Sequence, residues 1–153
     1  MEPIWQNLPV ILVGLRLTVQ YSIVAIILMV IIGLIAALMR LSKFAPLRWI
    51  ATAYVEIFRS TPLLVQLFFI VLGLPAILPV NEWFGQLMYP ILAAALTLSL
   101  NEGAYVTEII RAGILGVDRG QKEAAESIAM NRFQTMRYIV LPQAFKRMIP
   151  PLV

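Results

Sequence analysis

The sequence contains no cysteine and no histidine. It therefore has no disulfide framework, and it lacks the two residue types that dominate soft-metal sites. Charge is also scarce. Asp, Glu, Lys and Arg together make 13% of 153 residues, where a soluble domain carries about a quarter. A nucleic-acid binder clusters its basic residues on a wettable surface, and a net charge of +4 on so apolar a chain provides too little of one. Hydrophobic residues are in excess, at 61% with a mean hydropathy of +0.88, which excludes disorder. The length fits one domain or part of one, and the composition is that of an integral membrane protein.

Leu17 to Met39 carries no charge and is long enough for one tilted crossing of a hydrocarbon core about 30 Å thick. Gly33, Ala36 and Ala37 near its end would let another helix approach closely, or simply face lipid. A second uncharged run, Ser60 to Val80, contains Pro62, Pro75 and Pro79. Thr61 can cap a helix whose first turn holds Pro62, and the later prolines mark its end, so the second span is placed at 62–77. Between these spans, Pro46 to Arg59 has apolar residues at helical spacing and reads as an interfacial helix or an extension of the second span. Its Glu56 and Arg59, three apart, are expected at the membrane surface as anchors of the Ser60-Thr61-Pro62 turn. The third apolar stretch starts at Trp83 or, with Pro90 as a first-turn proline, at Pro90. The second framing is preferred because Asn81, Glu82, Gly85 and Gln86 read as a loop, and it gives a span at 90–110.

Eleven of the twelve basic residues fall between the first two spans or after the third; Arg16 is the exception. The positive-inside rule assigns those segments to the cytoplasm and puts the N-terminus, with Glu2 and no Lys or Arg, outside. The residues after Ile114 are charged and amphipathic. Asp118 with Gln121, and Asn131 with Gln134, have capping-box spacing. They predict helices at about 119–130 and 132–140, the second stopped by Pro142. The first holds Glu123-Ala124-Ala125, with Ala129 four residues after Ala125, a small-faced row that could seat against a partner or could belong to an ordinary surface helix. At 148–153 apolar residues resume, as at the opening of a fourth span, so the chain is expected to be C-terminally incomplete.

The run EAAESIAMNRFQTMRYIVLP, Glu123 to Pro142, resembles the EAA loop of the permease subunits of ABC importers. EIFRSTPLLVQLFF (Glu56 to Phe69) and NEGAYVTEIIRAGI (Asn101 to Ile114) are similar to the polar amino-acid subfamily, which includes histidine, arginine, glutamine and glutamate importers. The resemblance implies an all-α permease bundle in the inner (cytoplasmic) membrane. It would have at least three transmembrane helices and a cytoplasmic coupling segment at 118–142, all in a single domain over 1–153. It also implies partners: ABC ATPase subunits, a second permease subunit (identical or homologous) and an extracytoplasmic amino-acid-binding protein. Glu123, Ala124, Ala125 and Ala129 would carry the coupling to the ATPase. The chain itself has no GxxxxGK[ST] run, so ATP and Mg²⁺ are expected on the partner, and no cofactor or metal is expected here. The sequence departs from the family pattern in three ways. Relatives usually have Gly where this chain has Ala129, relatives usually have five spans, and Glu102 stands where many carry another residue.

At about 100° per residue, Thr97, Asn101, Tyr105, Glu108 and Arg111 share one helix face, with Glu102 beside Tyr105. A polar stripe in a membrane helix faces protein or a wet cavity. Asn101, Glu102, Tyr105 and Glu108 are therefore candidates for lining an amino-acid path. Interhelical hydrogen bonds, with a Glu108–Arg111 ion pair, are the alternative. A self-sufficient secondary transporter or channel using buried carboxylates is a competing reading. Such a protein needs no capped cytoplasmic helix, and the internal repeats that many of them carry are not seen. With no His or Cys, and no Ser/Lys or paired-Asp arrangement, the chain is not expected to be an enzyme.

Overall fold

A computed structural model describes residues 7–152; Glu2 and Val153, named above, lie outside the described residues. Among the described residues every regular element is helical. The first helix, α1 (Leu8–Leu41), is 34 residues long, about 50 Å at 1.5 Å per residue. It starts nine residues before the uncharged run, taking in Arg16, because Pro9 suits a first turn and nothing between Leu8 and Leu17 breaks a helix. Its length exceeds a hydrocarbon core, so an end can stand outside it. It closes with the Ser42 amide on the Met39 carbonyl, with Arg40 against the negative end of the helix dipole.

Helix α2 (Ala45–Ser60) is amphipathic, burying Ala51 and Val55 while Trp49, Ile50 and Ile57 stand exposed. Helix α3 (Leu63–Ile77) leaves it at 105°. The break sits at Pro62, which has no N–H to continue the ladder and forces Thr61 into an extended conformation. Thr61 does not cap α3 as expected. Its hydroxyl turns back and donates to the Ile57 carbonyl at 2.7 Å, closing α2. A π-helical turn, Phe69–Gly73, precedes Pro75 and frees the Ile70 carbonyl, which accepts from the buried Tyr89 hydroxyl. At 15 residues, about 22 Å, α3 is too short to cross alone. Alone, α1 is long and apolar enough to cross a membrane, and α2 with α3 qualify as one bent pair.

After α4 (Val80–Phe84), Gly85 takes φ +82, which a side chain would resist, and the chain turns into α5 (Met88–Leu115). The third apolar stretch thus starts with Pro90 in its first turn, and Trp83 belongs to a separate helix. Helix α5 packs along α1 through small residues. Ala37 and Ala104 are fully buried. A Cβ on Gly33 would stand 2.6 Å from Val106 Cγ1, and one on Gly103 would stand 3.1 Å from Ile32 Cγ2. Close approach, not lipid contact, is therefore the role of Gly33, Ala36 and Ala37. The seam is pinned by polar groups: Ser99 donates to the Ala25 carbonyl at 3.2 Å and Thr107 to the Gly33 carbonyl at 3.3 Å.

Two helices follow. Helix α6 (Arg119–Ser127) is short. Helix α7 (132–152) is continuous through Arg132–Gln134, a π-helical Thr135–Val140 and Leu141–Leu152. Pro142 does not stop it, because the π turn before it changes the carbonyl pairing there and leaves no α-type bond for its missing N–H to break. The apolar residues from Met148 onward continue the same helix. Met148 seats α7 on α5, buried with Ile114, Val117, Val140 and Ala144. Arg147 donates to the Gly116 carbonyl just past α5, satisfying that helix end.

Candidate functional site

The EAA segment is α6. Asp118 caps it by accepting from the Gly120 amide at 2.7 Å, and Gln121 does not complete the expected box. At the next helix the full box forms between Asn131 and Gln134, at 2.9 Å in both directions. Helix α6 ends at Ser127, three residues earlier than the spacing predicts. The Met130 amide donates to the Ala125 carbonyl and the Ala129 amide to the Glu126 carbonyl, a Schellman closure with Ala129 at its left-handed position, φ +59. Ala129 is therefore not part of a small-residue row on the helix, as its spacing from Ala125 suggested. It is exposed and lies past the helix end. A glycine at this place would meet the demand of the backbone conformation, not of a tight contact. Ala125 is buried, facing back into the chain, while Glu123 and Ala124 are exposed on the outer side. Helix α6 rests on the π turn of α7, and α7 on the end of α5. Its seat is thus continuous with the long helices.

The polar stripe on α5 divides. Thr97 is buried and spends its hydroxyl on the Ala93 carbonyl. Asn101 is buried, and its amide donates to the Phe58 carbonyl and the Gln66 side-chain oxygen, both at 3.1 Å. Gln66 in turn donates to the Phe58 and Thr61 carbonyls at 2.9 and 3.1 Å. These are carbonyls that the Pro62 break strips of helical partners. Ser60, Thr61, Gln66 and Asn101 hold the turn, a task that the spacing of Glu56 and Arg59 suggested for those two. Gln66 was not singled out from sequence; a lone polar residue four after a helix-breaking proline was the available signal. Tyr54 was also missed. Its hydroxyl donates to the Leu100 carbonyl at 2.6 Å, fixing α2 on α5.

Glu102 is exposed and Tyr105 41% exposed, so this part of α5 faces outward from the single chain. Arg59 lies over the Tyr105 ring, 5.2 Å from its centre. Glu108 forms the ion pair with Arg111, at 3.2 Å, and a second with Arg40 from α1. Spacing pointed to the first pair but not the second, because Arg40 is remote in sequence. Among the described residues no group of three or more Asp, Glu, His or Cys side chains converges on a metal position.

The family described as "Binding-protein-dependent transport system inner membrane component" matches residues 29–153. The chain belongs to that family. This inner-membrane component is similar to the arginine transport system permease protein ArtQ of Bacillus subtilis (strain 168), 42% identical over 147 residues covering 96% of the chain and 64% of that protein. It is 44% identical over 144 residues to the L-cystine transport system permease protein TcyB of the same strain, covering 94% of the chain and 58% of that protein. It is 40% identical over 154 residues to the glutamate/aspartate import permease protein GltK of Escherichia coli O157:H7, covering 96% and 66%. A crystal structure of an amino acid ABC transporter with histidines superposes with a TM-score of 0.81 at 40% identity, over 97% of the chain and 66% of that one. The inner-membrane component thus has the helical permease fold and spans less than two thirds of the length of these relatives.

Proposed function

We propose that the chain is the permease part of an ATP-driven importer of polar amino acids, with an ATPase partner acting through α6. The observation that carries this reading is the construction of α6. It is a short helix closed at both ends, with Glu123 and Ala124 exposed for a partner and Ala125 seated inward toward α7 and α5. A closed helix transmits displacement to what it rests on; a loop would absorb it. In this reading the partner ATPase binds ATP and Mg²⁺, a second permease chain encloses the pathway, and an extracytoplasmic binding protein delivers the substrate. In this reading the crossings are about 17–39 within α1, 62–77 within the bent pair and 90–110 within α5. The N-terminus is outside, and the basic segment around 118–142 is cytoplasmic.

The outward-facing Glu102 and Tyr105 suit a path closed by the second permease chain, with Asn101 holding the adjacent turn in place. Glu108 is committed to two arginines, which removes it as the free carboxylate a proton-driven transporter would use. Reconstitution tests the reading. Vesicles containing the full-length permease with its ATPase and binding protein should accumulate an amino acid only with ATP. Accumulation against a gradient by the permease alone would overturn it.

A further inference from the structure

Helix α7 has no Asp or Glu between 132 and 152, and it carries Arg132, Arg137, Lys146 and Arg147. Arg147 is spent on the Gly116 carbonyl. Arg137 and Lys146 are exposed, and among the described residues neither has a carboxylate within 4.0 Å. The helix is two-faced. Val140, Ala144 and Met148 are buried toward α5. Leu141, Phe145 and Ile149, spaced by four on the α-helical part, share an outer face. Phe145 is 64% exposed, and Tyr138, about one turn before Leu141, is 63% exposed. Water is a poor neighbour for such a face, and the cations beside it favour an anionic one.

Depth decides what covers it. Helix α7 seats on α5 at Ile114 and Val117, and the approach is close: a Cβ on Gly113 would stand 2.7 Å from Met148 Cγ. Ile114 lies four residues beyond the crossing at about 90–110, roughly 6 Å along the helix. The headgroup layer is about 5–8 Å deep on each side of the hydrocarbon core, so α7 lies at headgroup level. We infer that the outer face of α7 is a docking surface for anionic phospholipid. Headgroup phosphates sit on Arg137 and Lys146, and the acyl boundary meets Tyr138, Leu141, Phe145 and Ile149. This rests on the α5 crossing proposed above. The support on which α6 rests is then held by the bilayer surface as well as by α5.

The test uses the full-length permease in complex with its ATPase, in nanodiscs of phosphatidylcholine and phosphatidylglycerol. Phe145→Cys, the permease's only cysteine, carries a nitrobenzoxadiazole fluorophore. Spin-labelled phosphatidylglycerol, its spin label near the headgroup, should quench it at least twofold more than spin-labelled phosphatidylcholine at equal content, and aqueous iodide should quench it little. Arg137→Gln with Lys146→Gln should bring the two lipids to equality, and Arg137→Lys with Lys146→Arg should keep the preference. Quenching by iodide but by neither lipid would put the face in water and refute the inference. Quenching by none of the three would mean that protein covers the face (the rest of the permease, its second copy or the ATPase), which refutes it equally. Equal quenching by both lipids with the native charges, an arm that needs no change at 137 or 146 to fold, would remove the anionic preference, as would a preference that survives the Gln pair. The unlabelled complex in vesicles of the same lipids, supplied with its binding protein, separates this inference from the proposed function. If it imports while the Phe145 label fails, only the docking surface falls; absence of ATP-driven import would instead remove the proposed function.

Discussion

The amide of Met130 donates to the carbonyl of Ala125 at 3.1 Å, folding the chain back over the end of α6. The closure requires a left-handed residue between them, and Ala129 supplies it at φ +59. An L-residue there is disfavoured by about 1–2 kcal/mol, because its Cβ crowds the following carbonyl.

Ala129→Gly should therefore stabilise the closure by about 1 kcal/mol. Amide hydrogen exchange at 128–130 should slow by roughly fivefold, and Ala129→Val should accelerate it. Equal exchange in all three proteins would mean that the turn is not left-handed in the membrane-bound protein.

The exposed Glu123 gives a second test. Glu123→Lys reverses charge on the outer face of α6 without touching the buried Ala125. Uptake driven by ATP should fall at least tenfold while the chain remains in the membrane at its normal level. Normal uptake with the ATPase still bound would separate this face from coupling.

The close contact between α1 and α5 predicts a steric effect. A methyl at Gly33 would fall 2.6 Å from Val106 Cγ1. Gly33→Ala should cost about 1–3 kcal/mol by overpacking, read as a lower unfolding midpoint in detergent. Adding Val106→Ala should recover most of the loss, as expected of two residues in contact.

Asn101 is buried and donates to a carbonyl orphaned by the Pro62 break. Asn101→Leu should destabilise the chain by about 1–3 kcal/mol, because the Gln66 side-chain oxygen loses its donor and the Phe58 carbonyl keeps only Gln66. Limited proteolysis should show earlier cleavage at the 60–62 turn. An unchanged cleavage rate would mean that Gln66 alone holds the turn.

Glu102 tests the path. Glu102→Gln should change the competition between arginine, glutamine and glutamate for uptake by at least threefold, cationic substrates losing most. A profile identical to wild type would make Glu102 structural.

Local chemistry made much of this protein legible from its sequence. The long apolar run of α1, the Asn131–Gln134 box, the start of α5 near Pro90 and the Glu108–Arg111 pair all depend on residues within a few positions of one another. Their energies are set before distant segments meet. Other features were not legible. Pro142 looked like a stop, but the π turn before it accommodates the ring. Ala129 looked like packing, but its role is set by a backbone dihedral.

Three decisions required the tertiary structure. Asn101 is committed to the Phe58 carbonyl, Glu108 acquires Arg40, and Tyr54 fixes α2 on α5 through the Leu100 carbonyl. The sequence by itself determined an apolar helical membrane chain and its local caps, because those follow from composition and short-range hydrogen bonding. Which polar side chains are spent on structure and which remain open to a ligand was decided only when helices far apart in the sequence packed. A buried polar group must take a partner within about 3 Å, and the packing determines which one is in reach.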